Sequence, residues 1–216
     1  RNWQTVDGQS LKLPLTSETN PALVHDYEKE ALKVYLKDIR FDEQGRPIIL
    51  YITSKGFESG PMNDPRTWTL AHWNSGKWRL RKITTSDNNY DMGSLYIDNS
   101  NWQIYGPTET GPQPYNPGGE MALWESRNNG ETWKKTKQLT RHSKRNHTYA
   151  RAPVNAHPDF YALWADGHGR QPSESNLYFC NRVGRVYLLP RRMSEQFAKP
   201  TPVEPDASAN AIKANR

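Results

Sequence analysis

Ser126-Arg127-Asn128-Asn129-Gly130-Glu131-Thr132-Trp133 reads as strand, tight turn, strand. An Asn-Gly pair is a strong short-range hairpin signal, because both residues tolerate the positive φ that a tight turn between twisted strands demands. Ser126 and Thr132 place hydroxyls where they can bond the turn backbone. Trp124 and Trp133 flank the turn and bring large aromatic surfaces to adjacent strands, so both are expected to be largely buried.

Outward from this hairpin the same alternation of short apolar runs and turn residues recurs three times. One unit has strands expected over 34–41, 47–53, 68–73 and 78–83, with turns at Gly45 and Asn74-Ser75-Gly76 and a Gly/Pro loop over 55–65. A second has strands over 90–97, 102–105, 121–126 and 133–139, and a third over 148–154, 160–164, 177–180 and 186–189. Asp38, Ser94 and Arg151 take matching places in the first strand of each unit, at intervals of roughly 55–60 residues, a suitable length for a four-stranded radial blade. The expected division is 34–88, 89–145 and 146–190 as three blades. Residues 1–33 are expected to be a remnant of a preceding blade, with a short helix over 27–32, and 191–216 a tail. The fold class is therefore all-β, a β-propeller of four-stranded antiparallel blades.

Composition agrees. The chain has 216 residues, 8 Trp, 11 Tyr and 11% aromatic content, too aromatic for a disordered segment. No apolar run approaches the roughly 18 residues of a helical membrane span, and no membrane partner is expected. A single cysteine, Cys180, excludes an internal disulfide framework. The net charge of +6 suits an anionic partner. The basic runs 134–137 and 141–145 have the spacing of a solvated strand face, not of a nucleic-acid groove, so no nucleic-acid partner is expected.

The pattern S-x-N-x-G-x-T-W resembles the Asp box of BNR-repeat propellers, with Asn128 where that motif has Asp. Three further stretches, 34–42, 107–120 and 146–170, resemble seven-bladed propellers of polysaccharide-degrading bacteria. These include ulvan-lyase-like, rhamnose–glucuronate lyase-like and α-L-rhamnosidase-like proteins. The resemblance implies a secreted or periplasmic enzyme acting on an acidic, uronate- or rhamnose-containing polysaccharide, by β-elimination in the lyases. In those lyases His and Tyr act as base and acid, and Arg neutralises the uronate. Three blades and a remnant cannot close a ring of about 4–8 blades. The chain is thus expected to be the C-terminal half of its propeller, with the N-terminal half as its missing partner. Two alternatives stay open: a glycoside hydrolase of α-L-rhamnosidase or sialidase-like type, and a non-catalytic propeller that binds carbohydrate or protein. The three-arginine clamp, Tyr nucleophile and Asp acid of a sialidase do not assemble here.

In a propeller the innermost strands line the channel, and the loops entering them form the functional face. His147, Tyr149 and Arg151 are the candidate catalytic set, since i, i+2 and i+4 of a regular strand share one face. A structural ion pair of Arg151 with Asp38 or Asp91 is the competing reading. Substrate contacts are expected from Asp38, Arg40, Asp91, Glu109, Gln113, Tyr115, Asn116, Glu120 and Arg170. For the loop over 107–120 substrate contact is the favoured reading, and a rigid cover over the blade top the competing one. His157, Asp166, His168 and Cys180 are metal-ligand types, for which a structural zinc or calcium is considered, but no CxxC or HExxH spacing supports a site.

Overall fold

The computed structural model describes residues 2–203. Among these the secondary structure is strand, apart from one short 3-10 turn at Pro61–Asn63. β1 (Lys33–Phe41), β2 (Pro47–Ser54), β3 (Arg66–Asn74) and β4 (Lys77–Ser86) form the first antiparallel sheet in sequence order. β5 (Ser94–Asp98), β6 (Asn101–Glu109), β7 (Glu120–Ser126) and β8 (Lys134–Gln138) form the second. β9 (Asn146–Arg151), β10 (Ala162–Gly167), β11 (Leu177–Cys180) and β12 (Val186–Leu188) form the third, and β13 (Thr201–Pro202) adds a fifth strand outside β12. The architecture is a partial, propeller-like set of antiparallel sheets.

The sheets meet face to face. Ile48, Leu50, Ile52, Trp68, Leu70, Leu95, Trp102 and Ile104 form the core between the first and second sheets. Tyr105, Met121, Leu123, Trp164, Cys180 and Val186 belong to the core between the second and third. Every second residue of a strand feeds one of these layers, which is why the alternating runs are so marked. The first strands adjoin: the Asp38 carboxylate accepts from Leu95 N–H at 2.9 Å, and Ala150 N–H donates to Met92 C=O at 3.1 Å.

The opening octapeptide folds as its chemistry dictates. Asn129 and Gly130 have φ of 55° and 79°. Ser126 Oγ accepts from Gly130 N–H at 3.0 Å, and Asn128 Oδ1 accepts from Thr132 N–H at 3.0 Å. Gly130 lies flat on Trp102: a Cβ there would come within 2.5 Å of the indole. Trp124 on β7 and Trp133 just before β8 pack at the margin of the core between the first and second sheets and are only half-buried, whereas Trp68, Trp102 and Trp164 are fully buried.

Before β1 the chain forms turns. The expected helix over 27–32 is a turn closed by Leu32 N–H on Tyr27 C=O, since three apolar residues in that stretch give no amphipathic face to bury. The Tyr27 and Tyr51 hydroxyls bond at 2.6 Å, pinning this segment to the first sheet. The outer surface of that sheet stays apolar and uncovered: Leu36, Ile39 and Phe41 are 70%, 55% and 58% exposed. The tail expected over 191–216 lies partly outside the described residues; its described part returns to the sheet edge as β13.

Candidate functional site

Connections gather at one end of the sheets and lock together. Tyr115 is the pivot. Its carbonyl accepts from Ser59 Oγ at 2.9 Å, Asn88 Nδ2 at 2.7 Å and Arg170 Nη2 at 3.3 Å, and its N–H donates to Asp87 at 2.9 Å. Its ring lies 5.9 Å from the guanidinium of Arg66, which is wholly buried and donates to the Gly60 and Glu58 carbonyls and to Asp64. Asn146 stitches the other side of the loop: its Oδ1 accepts from Gln113 N–H at 3.0 Å, and its Nδ2 donates to Gln113 C=O at 2.9 Å. Gln113 returns two bonds to the 144–146 backbone, and Asn116 is buried. The loop between β6 and β7 is thus a rigid cover, with Tyr115, Gln113 and Asn116 spent on the protein itself. Glu109 pairs with Lys135 at 2.7 Å, and Arg170, although exposed, has its guanidinium on the Tyr115 carbonyl.

His147 and Glu120 form a buried relay under this cover. Trp164 Nε1–H donates to His147 Nδ1 at 3.0 Å, so that nitrogen carries no proton. His147 Nε2 faces Ser143 Oγ at 2.8 Å, and Ser143 Oγ is 2.8 Å from the Glu120 carboxylate. Thr140 Oγ1 and Ser143 N–H also donate to Glu120. Burial pushes the His147 imidazole below its ordinary range, against the pull of Glu120 and Asp166. A neutral imidazole with both nitrogens occupied is a structural hub.

The expected shared face of His147, Tyr149 and Arg151 does not form. β9 carries a bulge opposite the Leu163–Ala165 step of β10, and Tyr149 sits at φ 59°. An extra residue reverses the alternation. His147 and Ala150 therefore point into the core, while Tyr149 and Arg151 are exposed, with the guanidinium 5.6 Å from the Tyr149 ring centre. Arg151 makes no ion pair among the described residues. Asp38 instead holds Leu95 N–H and Arg40, the latter at 3.2 Å, while Asp91 accepts from Asn88 N–H at 3.1 Å and Gly118 N–H at 2.7 Å. The matching position Ser94 is buried, so the recurrent polar place is not uniformly wet.

Beside Tyr149 and Arg151 lies a group the sequence pattern did not flag. Lys37 is the extra residue in a bulge of β1, between Leu36 and Asp38. The bulge turns its side chain inward, where Nζ donates to Asn89 C=O at 2.5 Å and lies 3.7 Å from Met92 Sδ. Burial lowers its ammonium to about 8; the Asp91 carboxylate opposes that shift and Arg151 adds to it. Burial raises the Asp91 carboxyl to about 8 despite its two N–H donors. Tyr90 is 53% exposed and meets Tyr35 edge-on at 5.9 Å. The inner edge thus presents two exposed tyrosines, an unpaired arginine and a buried lysine. These are exposed aromatic faces beside positive charge, a combination that can pair with an anionic group.

The metal-ligand types do not converge: among the described residues no group of three or more His, Cys, Asp and Glu is placed to hold an ion. Cys180 is in the core, its thiol pushed up to about 12 by burial. Asp166 is consumed by Asn176 and Tyr178. The His157 and His168 Nδ1 atoms accept from Asp159 and Arg170 N–H.

No family model and no curated protein matches the sequence. Two solved structures of a PL25 ulvan lyase match the fold. One has a TM-score of 0.59 at 20% identity, over 83% of this chain and 40% of that chain. The other, bound to -[GlcA(1-4)Rha3S]-, has a TM-score of 0.58 at 21% identity over the same shares. The fold is therefore polysaccharide-lyase-like, and the chain spans about two-fifths of the length of the structures it matches.

Proposed function

We propose that this chain is part of an Asp-box, seven-bladed propeller that acts outside the cytoplasm on an acidic, uronate- or rhamnose-containing polysaccharide, as a lyase by β-elimination. The observation that carries the reading is the inner-edge cluster, where Arg151 stacks on exposed Tyr149 beside Lys37, on the fold of an ulvan lyase. β-Elimination removes the C5 proton of a uronate, expels the C4 oxygen and leaves a C4–C5 double bond. Its intermediate is enolate-like, so a fixed cation at the carboxylate lowers the barrier. Arg151 supplies that cation as a planar fork suited to a carboxylate, and Lys37 adds positive field from below.

Tyr90 and Tyr149 stack on flanking sugar rings. His147 is not the base, because both its nitrogens are bonded. The proton-transferring pair belongs to a neighbouring part of a longer polypeptide. The uncovered apolar surface of β1, with Leu36, Ile39 and Phe41, is where a further sheet of the same ring packs. Incubating the full-length protein with uronate-containing glycans tests the reading through the ultraviolet absorbance of the unsaturated product. Release of saturated sugars alone points to a hydrolase. Tight binding without release points to a carbohydrate-binding propeller, which the structural role of His147 favours as the second reading.

A further inference from the structure

The outer rim between the second and third sheets carries a groove that the inner-edge cluster does not use. Radially arranged sheets diverge away from their inner strands, so a wedge opens between their outer parts. Tyr105, Leu123, Leu139 and Trp164 fill that wedge near the centre. Further out the filling stops and leaves a cavity of ≈ 570 Å³. Binding pockets for small ligands run from about 300 to 1,000 Å³.

The groove is preformed. One wall is the second sheet, where the Gln103 amide donates to the Glu125 carboxylate at 2.8 Å. The other is the turn between β11 and β12, carrying Arg182 and Val183. That turn is fixed by close packing: Gly184 has φ +72°, and a Cβ there would meet Leu139 at 2.8 Å. Tyr105 donates its hydroxyl to Arg182 C=O at 2.7 Å, and Lys137 Nζ donates to Val183 C=O at 3.2 Å.

The charge on the lining is unbalanced. Arg127, Lys137 and Arg182 face the single carboxylate of Glu125. Arg182 also pairs with Asp98 outside the groove, and Arg127 is exposed with no ion pair among the described residues. The floor offers no aromatic anchor for a protein partner, since Trp102 is only 1% exposed. It offers instead planar hydrogen-bonding groups suited to hydroxyls.

We propose that this groove is a second glycan-binding site, which takes a segment of a carboxylate- or sulfate-bearing sugar chain. Arg127, Lys137 and Arg182 hold the acidic groups, and Gln103 and Glu125 hold hydroxyls. The site lies on the rim, so it anchors a long chain whose other segment reaches the inner edge.

Affinity electrophoresis through polygalacturonate gels tests this, with dextran gels as the neutral comparison. Every chain compared carries Arg151→Ala, so that what remains of inner-edge binding is weakened and is the same in all variants. Arg127→Ala with Lys137→Ala is expected to weaken retardation by about tenfold or more, and the charge-neutral Gln103→Ala by about fivefold. Lys77→Ala with Lys82→Ala, an equal loss of charge on β4, is expected to change it less than about twofold. Equal losses in the two double variants would mean general electrostatics, with the β8 lysines serving only to guard a sheet edge. That result, no loss, no retardation, or equal retardation by dextran would each overturn the proposal.

Discussion

Trp164 Nε1 donates a 3.0 Å hydrogen bond to His147 Nδ1. An indole N–H can only donate, so this one contact fixes the imidazole tautomer and keeps it neutral. The pH dependence of stability follows. The folded imidazole is depressed below the ordinary histidine value, so its contribution is complete above about pH 6.5 and is lost as pH falls toward the folded value. In that window the unfolded chain takes up a proton that the folded chain refuses. Denaturant midpoints at pH 7.5 and pH 5 are expected to differ less in His147→Gln than in the parent chain. An identical acid loss in both would show that His147 does not titrate this way.

The turn at Gly130 gives a second test. Alanine there must hold φ near +79° and drive a methyl into the Trp102 ring. Left-handed backbone costs about 1–2 kcal/mol and overpacking about 1–3, so Gly130→Ala should lose about 2–5 kcal/mol. Asn129→Gly, at a positive φ that glycine adopts freely, should lose almost nothing. Urea midpoints of the two variants check this pairing, and equal losses would contradict it.

Lys37 is protonated at neutral pH inside a site that disfavours its charge. The folded ammonium titrates near 8, below the unfolded value of about 10.4. Stability therefore rises across pH 8 to 10.4, where the unfolded chain still holds the proton, and that gain is lost as pH falls through 8. Lys37→Met should abolish the rise. Its stability at pH 7 should be close to that of the parent, since a buried cation is replaced by an apolar chain of similar volume. Chemical denaturation at pH 7 and pH 10 reads both effects.

The order of the first four strands in each sheet and most strand positions were legible in the sequence, because alternation and turn residues are local signals; β13, inside the expected tail, was not. The bulges were not. An extra residue at Lys37 and another beside Tyr149 change which side chains face inward, and nothing in the local pattern marks them. That is why the regular-strand expectation put His147, Tyr149 and Arg151 on one face and passed over Lys37. The exposure of Trp124 and Trp133 was hidden for a related reason. It depends on how the assembled sheets pack against one another, which no local pattern records.

Arg151 separates binding from folding. It is exposed and makes no ion pair among the described residues, so Arg151→Lys should leave the denaturation midpoint within about 0.5 kcal/mol. The same substitution keeps the charge but loses the planar fork, and should weaken binding of a uronate oligosaccharide by about tenfold. Titration calorimetry with the full-length protein reads the second effect. Unchanged affinity would remove Arg151 from the site.

The most direct test of the central claim is the ultraviolet absorbance of the full-length protein's reaction with a glucuronate–rhamnose polysaccharide. A β-eliminating propeller with Arg151 at the carboxylate generates a product whose new C4–C5 double bond absorbs, and Arg151→Lys slows its appearance at saturating glycan. Release of saturated sugars only, or no release from any uronate-containing glycan, would contradict the account.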